Sequence, residues 1–382
     1  MIDGARQISS IARAALPPAR STGAPVHPNV PVILRVTEAE ANGAVMRVGG
    51  VRVVDRALRL LARLRDAHVV VATDGSVPLP RRLPANIERR ELEGDPGAGL
   101  AALEEELGPE TAVVNADTVW LQPGRFDRGI KVTDGPSRAA AGALVFADVE
   151  QSAVGIVDRI VNRKIALALA RLLFVNLPVT PALLTILGGF LGVYGALMVA
   201  SGVSPNVLTG FALLQGYVVL EDGAAVLARL RLYRGRAAAW LGTVMGDFVD
   251  VILILAVGRA LWGHGGSFLD MKMAAAGALM TLFFVAVTYR EVVRQGQGDL
   301  TKLRWWFAYG QSLRTFSGAG SRSIKVVTLL GRRDFVIAAS LGLVAFDQLW
   351  VVLLLLLIVA ISRAGAALIQ LLTPAWRIPP QV

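Results

Sequence analysis

Four carboxylates stand in stretches that are otherwise almost free of charge. Glu221 and Asp222 lie near the end of one long apolar run, and Asp247 and Asp250 lie within the next. An acid inside a bilayer costs about 2.5–3.5 kcal/mol on insertion scales, so each is a candidate functional group. Carboxylate oxygens are hard ligands of the kind Mg²⁺ takes, and such an ion neutralises developing charge in phosphoryl-type transfer. Thiolate chemistry is excluded because the chain has no Cys, and its three scattered His (His27, His68, His264) have no metal-ligand spacing.

These acids need a membrane domain to position them. At 382 residues the chain has room for two or three domains, taking roughly 150 residues each. Hydrophobic residues make up 54% and charged residues 18% of the chain, against about 25% charge in a soluble protein. With a mean hydropathy of +0.55, the excess apolar surface points to a bilayer. Residues 172–220 contain no Asp, Glu, Lys or Arg, which is about right for two spans joined at Ser201–Asn206. Further spans are expected at 237–258, 273–289, 335–350 and 351–371, making six. The segment 229–236 holds four arginines, and 290–334 holds nine basic residues. The positive-inside rule therefore places both of these and both termini in the cytoplasm, as in a multi-pass bacterial inner (cell) membrane protein. The net charge of +10 is read as loops against anionic lipid, with no nucleic acid as partner. The first thirty residues carry Arg6, Arg13 and Arg20 but no apolar signal-peptide core.

Residues 30–150 read as a soluble α/β domain, after an N-terminal segment 1–29. Val30–Leu34, His68–Thr73 and Thr111–Asp117 are expected strands, and Arg52–Arg65 has helical spacing. Alternating strands and helices imply a doubly wound parallel sheet, with Asp117 at the carboxyl end of its strand where such sheets bind ligands. Residues 151–177 follow, and Ile156–Val175 within them reads as an amphipathic interfacial helix with Arg159, Arg163, Lys164 and Arg171 toward lipid phosphates. The membrane domain is 178–372 and the tail 373–382. Gly188, Gly189, Gly192 and Gly195 have the small-residue spacing of close helix packing. Trp305–Tyr309 reads as an interfacial aromatic group, and Ser317–Ser321 as a loop.

The paired acids and the arginines between them resemble the signature of the CDP-alcohol phosphotransferase (CDP-alcohol phosphatidyltransferase) family. That signature is D-x-x-D-G-x-x-A-R, eight residues, then G-x-x-x-D-x-x-x-D. Set without gaps on Ala228-Arg229, its four aspartates fall on Glu221, Ala224, Gly242 and Gly246, and its two glycines on Ala225 and Ala238. Seating Asp222-Gly223 as the aspartate–glycine pair instead puts Val226-Leu227 at Ala-Arg and Trp240 and Val244 at metal positions, a poorer match. Gly155–Arg163 followed by Pro178–Pro181 looks like the juxtamembrane helix of the family branch that makes inositol-phosphate diesters, the di-inositol-phosphate-phosphate synthase type. That branch carries a fused cytidylyltransferase domain, whose P-V-G-G-K-P-L-L run resembles Met46–Asp55.

The resemblance implies a nucleotidyltransferase-like (Rossmann-like) domain followed by an all-α bundle of six transmembrane helices. It implies transfer of a phospho-alcohol group from a CDP-linked donor to an alcohol, releasing CMP, with Mg²⁺ or Mn²⁺ if the site is active. Of the metal ligands, Glu221 remains at its motif position, and Asp250 shares the helix face of Gly242 and Gly246. Glu221 and Asp250 are thus the expected catalytic residues, and Glu221, Asp222 and Asp250 the expected residue of a metal site. Asp222, Gly223, Arg229 and Arg163 are expected at the substrate, with Arg229 and its neighbours as counter-charges. Glu221, Asp222 and Asp250 are expected to face one cavity. Two readings stay open: an enzyme of phospholipid or inositol-phosphate synthesis with a rebuilt site, and a silent homologue that binds lipid or nucleotide. The partners implied are membrane lipids, a CDP-linked donor, and a second copy or an active paralogue. In the soluble domain, Leu34–Gly43 offers one glycine and two acids where a nucleotide needs a Gly-rich turn, and Arg52 is offset by Val51 from the lysine of the P-V-G-G-K run. No nucleotidyl transfer is expected there.

Overall fold

The computed structural model describes residues 30–64, 67–122, 126, 129–153, 155–233, 236–294 and 331–372, with backbone alone for 236–239. Segments 1–29 and 373–382, Trp305–Tyr309 and Ser317–Ser321 lie outside these residues. The chain forms two compact units, one of residues 1–152 with 228–233 and the other of 153–227 with 234–382.

The first unit runs β1 (Val32–Val36), α1 (Glu38–Val45), β2 (Arg47–Val48), β3 (Val51–Arg52), α2 (Val53–Leu61), β4 (Val69–Thr73), β5 (Ile87–Glu91), α3 (Pro96–Leu107), β6 (Ala112–Asn115), β7 (Thr118–Val119), β8 (Ile130–Lys131) and α4 (Gly135–Gln151). Four parallel strands pair in the order β5-β4-β1-β6, with Val32 opposite both Val69 and Ala112. The expected parallel sheet is present, and β5 joins it as an unforeseen edge. Its sequence Ile-Glu-Arg-Arg-Glu buries only Ile87, so an alternating apolar pattern never marked it. In β1 and β4, by contrast, both faces are covered, which is why their sequences are mostly apolar, with Arg35 and Thr73 as exceptions near their ends. Val32, Leu34, Val69 and Val71 pack with Leu58 and Leu61, whereas Ile33, Val70 and Ala72 pack with Leu103. Gly49 and Gly50, at φ +61° and +80°, make the two-residue turn of the β2–β3 hairpin, a left-handed pair that glycine tolerates best.

The crevice where β1 has neighbours on both sides is closed by α1. Thr37 ends β1 and opens that helix: its backbone N–H and hydroxyl both donate to Glu40, at 3.0 and 2.6 Å. Arg35 donates to the same carboxylate at 2.8 Å. At Gly43 the helix lies so close to Asp117 and the Val132 carbonyl that no side chain fits. Two acids in the first turn of α1 therefore stand where phosphate would approach. Arg52 is committed as well, with two 2.8 Å hydrogen bonds to Asp55 and one to the Pro78 carbonyl.

Asp117 is 1% exposed and has Lys131 at 3.5 Å. Burial raises its carboxyl above the ordinary Asp value, with Lys131 opposing the rise. The folded state therefore binds the proton more tightly than the unfolded chain. Stability from this group is greatest at low pH and declines as pH rises through the ordinary Asp range and just above it. Asp117→Asn should remove that decline. Melting measured from about pH 3 to 6 checks it, and a natural protein that instead gains on the variant with rising pH would refute the assignment.

The second unit opens with an interfacial segment made of a π turn (Asp158–Asn162), α5 (Arg163–Leu169) and a second π turn (Ala170–Phe174). Its outer face exposes Ile160, Leu172, Arg159, Lys164 and Arg171, an amphipathic mixture suited to a headgroup layer. Long helices follow: α6 (Pro181–Ala200), α7 (Ser204–Leu230), α8 (Arg236–Gly263) and α9 (Phe268–Arg294), then α10 (Arg333–Ala345) and α11 (Leu349–Leu372). Thr180 starts α6 by accepting from the Leu183 N–H, and Pro181 occupies the first turn, where its missing N–H costs nothing.

Among the described residues, five helices, α6, α7, α8, α9 and α11, are long and apolar enough to cross a bilayer. The fifth span expected at 335–350 is instead α10, whose 13 residues reach only about 20 Å against the roughly 30 Å of a hydrocarbon core. Phe346–Gln348, with Asp347 at φ +61°, turns the chain into α11 after that short rise. The glycine stripe of α6 does set close packing. A Cβ on Gly195 would lie 2.7 Å from the Gly210 carbonyl, and one on Gly192 would lie 3.0 Å from Val249 and 3.1 Å from Tyr217. Those approaches seat α7 and α8 against α6 and fix where their acids point.

Candidate functional site

The site is centred on Arg333, the first residue of α10. Arg332 ion-pairs with Asp334 at 3.0 Å, and the other Asp334 oxygen accepts the Asp158 N–H at 3.1 Å. An acid in the first turn also suits the positive end of the helix dipole. With that end fixed, the Arg333 side chain enters the bundle between α7 and α8. Its Nε donates to Asp250 at 2.8 Å, its Nη1 to both Glu221 oxygens at 3.1 Å, and Asp247 lies 4.0 Å from Nη2. Nη1 also donates to the Tyr217 hydroxyl at 3.1 Å. Arg363 of α11 reaches Asp250 from the other side at 3.0 Å and donates to the Gly331 carbonyl. Tyr289 of α9 donates to Asp247 at 2.9 Å.

Helical periodicity explains the convergence. Tyr217 and Glu221 are one turn apart on α7, and Gly246 and Asp250 one turn apart on α8. Gly246 is where the guanidinium sits: a Cβ there would collide with Cζ, Nη1 and Nη2 of Arg333. Gly242 has only the Thr185 methyl near, at 3.8 Å from a Cβ position. Ala224 is buried and, like both glycines, supplies no side-chain oxygen.

Asp222 lies beside Asp158 and Arg163 of the interfacial segment as well as near Glu221. Arg163, expected to face lipid phosphates, is instead 5% exposed and clamps Asp158 through Nε and Nη2 at 3.2 and 3.1 Å. The π turn is what brings Asp158, Asn162 and Arg163 to the inner side, since widening one turn rotates the following residues off the regular helical faces. Asn162 accepts from Gln215 of α7 at 2.6 Å. Arg163 Nη1, Asn162 Nδ2, Gln215 Oε1 and Asp222 Oδ2 are buried without a hydrogen-bonding partner among the described residues. Gly223 is a packing position, its Cα facing the Phe174 ring at a Cβ distance of 3.2 Å. Arg229 is exposed and clusters with the first unit. Among the described residues, Arg333 and Arg363 pair with the acids of the bundle.

In the sequence Arg333 is one of nine basic residues in 290–334, and Arg363 lies in the last apolar run. Arg363 did carry a signal: it is a lone charge inside the apolar 351–371 run, which is as costly as the acids. Nothing in spacing tied Arg333 to residues more than eighty positions away. No protein-family model and no curated protein matches the chain.

Proposed function

We propose that this integral membrane protein has the layout of a CDP-alcohol phosphotransferase but performs no metal-dependent transfer, and acts by binding a polar lipid or nucleotide headgroup. The observation that carries the reading is the Arg333 guanidinium, which packs on Gly246, bridges Glu221 to Asp250, and so fills the space in which the family's aspartates would hold ions. Two Mg²⁺ or Mn²⁺ close together need several carboxylates to offset their mutual repulsion, and a clamp on both the attacking and leaving oxygens needs both ions. Here the four motif positions offer one acid, and that acid is already paired. The unpartnered polar atoms of Arg163, Asn162, Gln215 and Asp222 support a binding role beside the interfacial segment, since such atoms call for a polar guest. The soluble domain, its crevice closed by α1, serves in this reading as a structural partner rather than a cytidylyltransferase.

Purified protein incubated with CDP-alcohols and Mg²⁺ or Mn²⁺ should release CMP no faster than an empty preparation. Release that Glu221→Ala or Asp250→Ala abolishes would overturn the proposal in favour of an enzyme with a rebuilt site. By the positive-inside rule the arginine-rich 229–236 and 290–334 support a cytoplasmic position for these two segments, in an inner membrane. A reporter fused at residue 310 should therefore act on the cytoplasmic side, and an external signal would reverse the topology.

A further inference from the structure

We propose that Glu221, Asp247 and Asp250 form a cation box whose resident ion is the tethered guanidinium of Arg333. The proposal deepens the reading of a silent site, and its test does not involve transfer. Glu221 of one helix and Asp250 of its neighbour meet at this one guanidinium, with Asp247 at 4.0 Å and Arg363 on the far side of Asp250, and buried like charges cannot remain together without such neutralising partners. The cation at that point is used on every side: Nε meets Asp250 at 2.8 Å, Nη1 meets Glu221 and the Tyr217 hydroxyl at 3.1 Å, and Nη2 meets Asp250 at 3.3 Å and approaches Asp247 at 4.0 Å. Gly246 makes room for it, because any Cβ at that position would strike the guanidinium.

The seat is thus shaped for a planar cation, with oxygen ligands around its rim and a backbone surface beneath it. Delivery is built into α10, since the Arg332–Asp334 pair and the Asp158 N–H hold the end of the helix from which Arg333 projects. Occupancy of the box is therefore set by where the first turn of α10 is held. Emptied of its side chain, the box should accept a free cation.

Arg333→Ala in the full chain tests this by melting in detergent, alone and with ethylguanidinium or Mn²⁺ added. The variant should melt lower than the natural protein. At least one of the two cations should recover half or more of the loss, at concentrations at least tenfold below any that move the natural protein. Arg333→Ala combined with Asp250→Asn should lose that response. The proposal is overturned if neither cation stabilises Arg333→Ala beyond its effect on the natural protein, or if the double variant responds as the single one does. If Arg333→Ala yields no folded protein, Arg333→Lys carries the same test. Its ammonium leaves the Glu221 side of the seat open, so ethylguanidinium should stabilise it at concentrations that leave the natural protein unmoved, and no response refutes the box. A chain that releases CMP yet exchanges cations loses the functional reading and keeps the box. A silent chain with no exchange does the reverse.

Discussion

Asp250→Asn should lower stability by about 3 kcal/mol or more, the scale on which one partner is removed from a buried ion pair. Asp250 is the shared anion of two guanidiniums, with Arg333 at 2.8 Å and Arg363 at 3.0 Å, and its side chain is 13% exposed. The amide keeps the shape but not the charge, so two cations would face each other across a neutral group. Glu221 and Asp247 still offset Arg333, but no other ion pair is formed by Arg363 among the described residues. Asp250→Glu, which restores charge at the expense of packing, should fall between the two. Unfolding in detergent micelles measures all three, and an Asn variant that unfolds with the natural protein would show that the network contributes nothing.

The second large effect belongs to Asp158 and Arg163, whose side chains are 3% and 5% exposed. Either single change, Asp158→Leu or Arg163→Met, removes one partner of a buried ion pair and should cost about 3–5 kcal/mol. The double change removes both charges and puts apolar groups of similar bulk in their place. It should return to within about 1.5 kcal/mol of the natural protein, as well-packed apolar replacements of buried pairs do. The backbone bond from the Asp158 N–H to Asp334 survives in every variant, so it does not bias the cycle. Additive costs, with the double variant the least stable of the set, would mean that the two side chains act independently.

What could be read from the chain follows the range of the forces involved. Apolar runs and turn residues are local, so β1, β4, β6 and the spans at α6 to α9 and α11 were legible. Element β5 was not, because an edge strand faces water and has no apolar pattern to keep. The expected span at 335–350 is too long because only two polar residues, Asp347 and Gln348, interrupt the apolar residues between Phe346 and Leu349, and the left-handed turn at Asp347 ends α10 there. Glu221 and Asp250 were found by the cost of burying charge, a property of one residue at a time. Their partner was not, because which cation relieves that cost depends on the packing of helices far apart in sequence. The Asp158–Arg163 pair beside Asp222 is illegible for a related reason: the π turn at Asp158–Asn162 shifts the inner face by a residue, and no composition rule announces it.

The shortness of α10 also bears on how the chain is assembled. A 13-residue helix is too short to span the hydrocarbon core by itself. Helix α11 has the hydropathy to do so, and the three-residue turn obliges α10 to travel with it as a hairpin. The acids of α7 and α8 are already translated and inserted by then, and it is they that draw Arg333 to its depth. The order of synthesis thus matches the order of electrostatic need, anions first and their cation last.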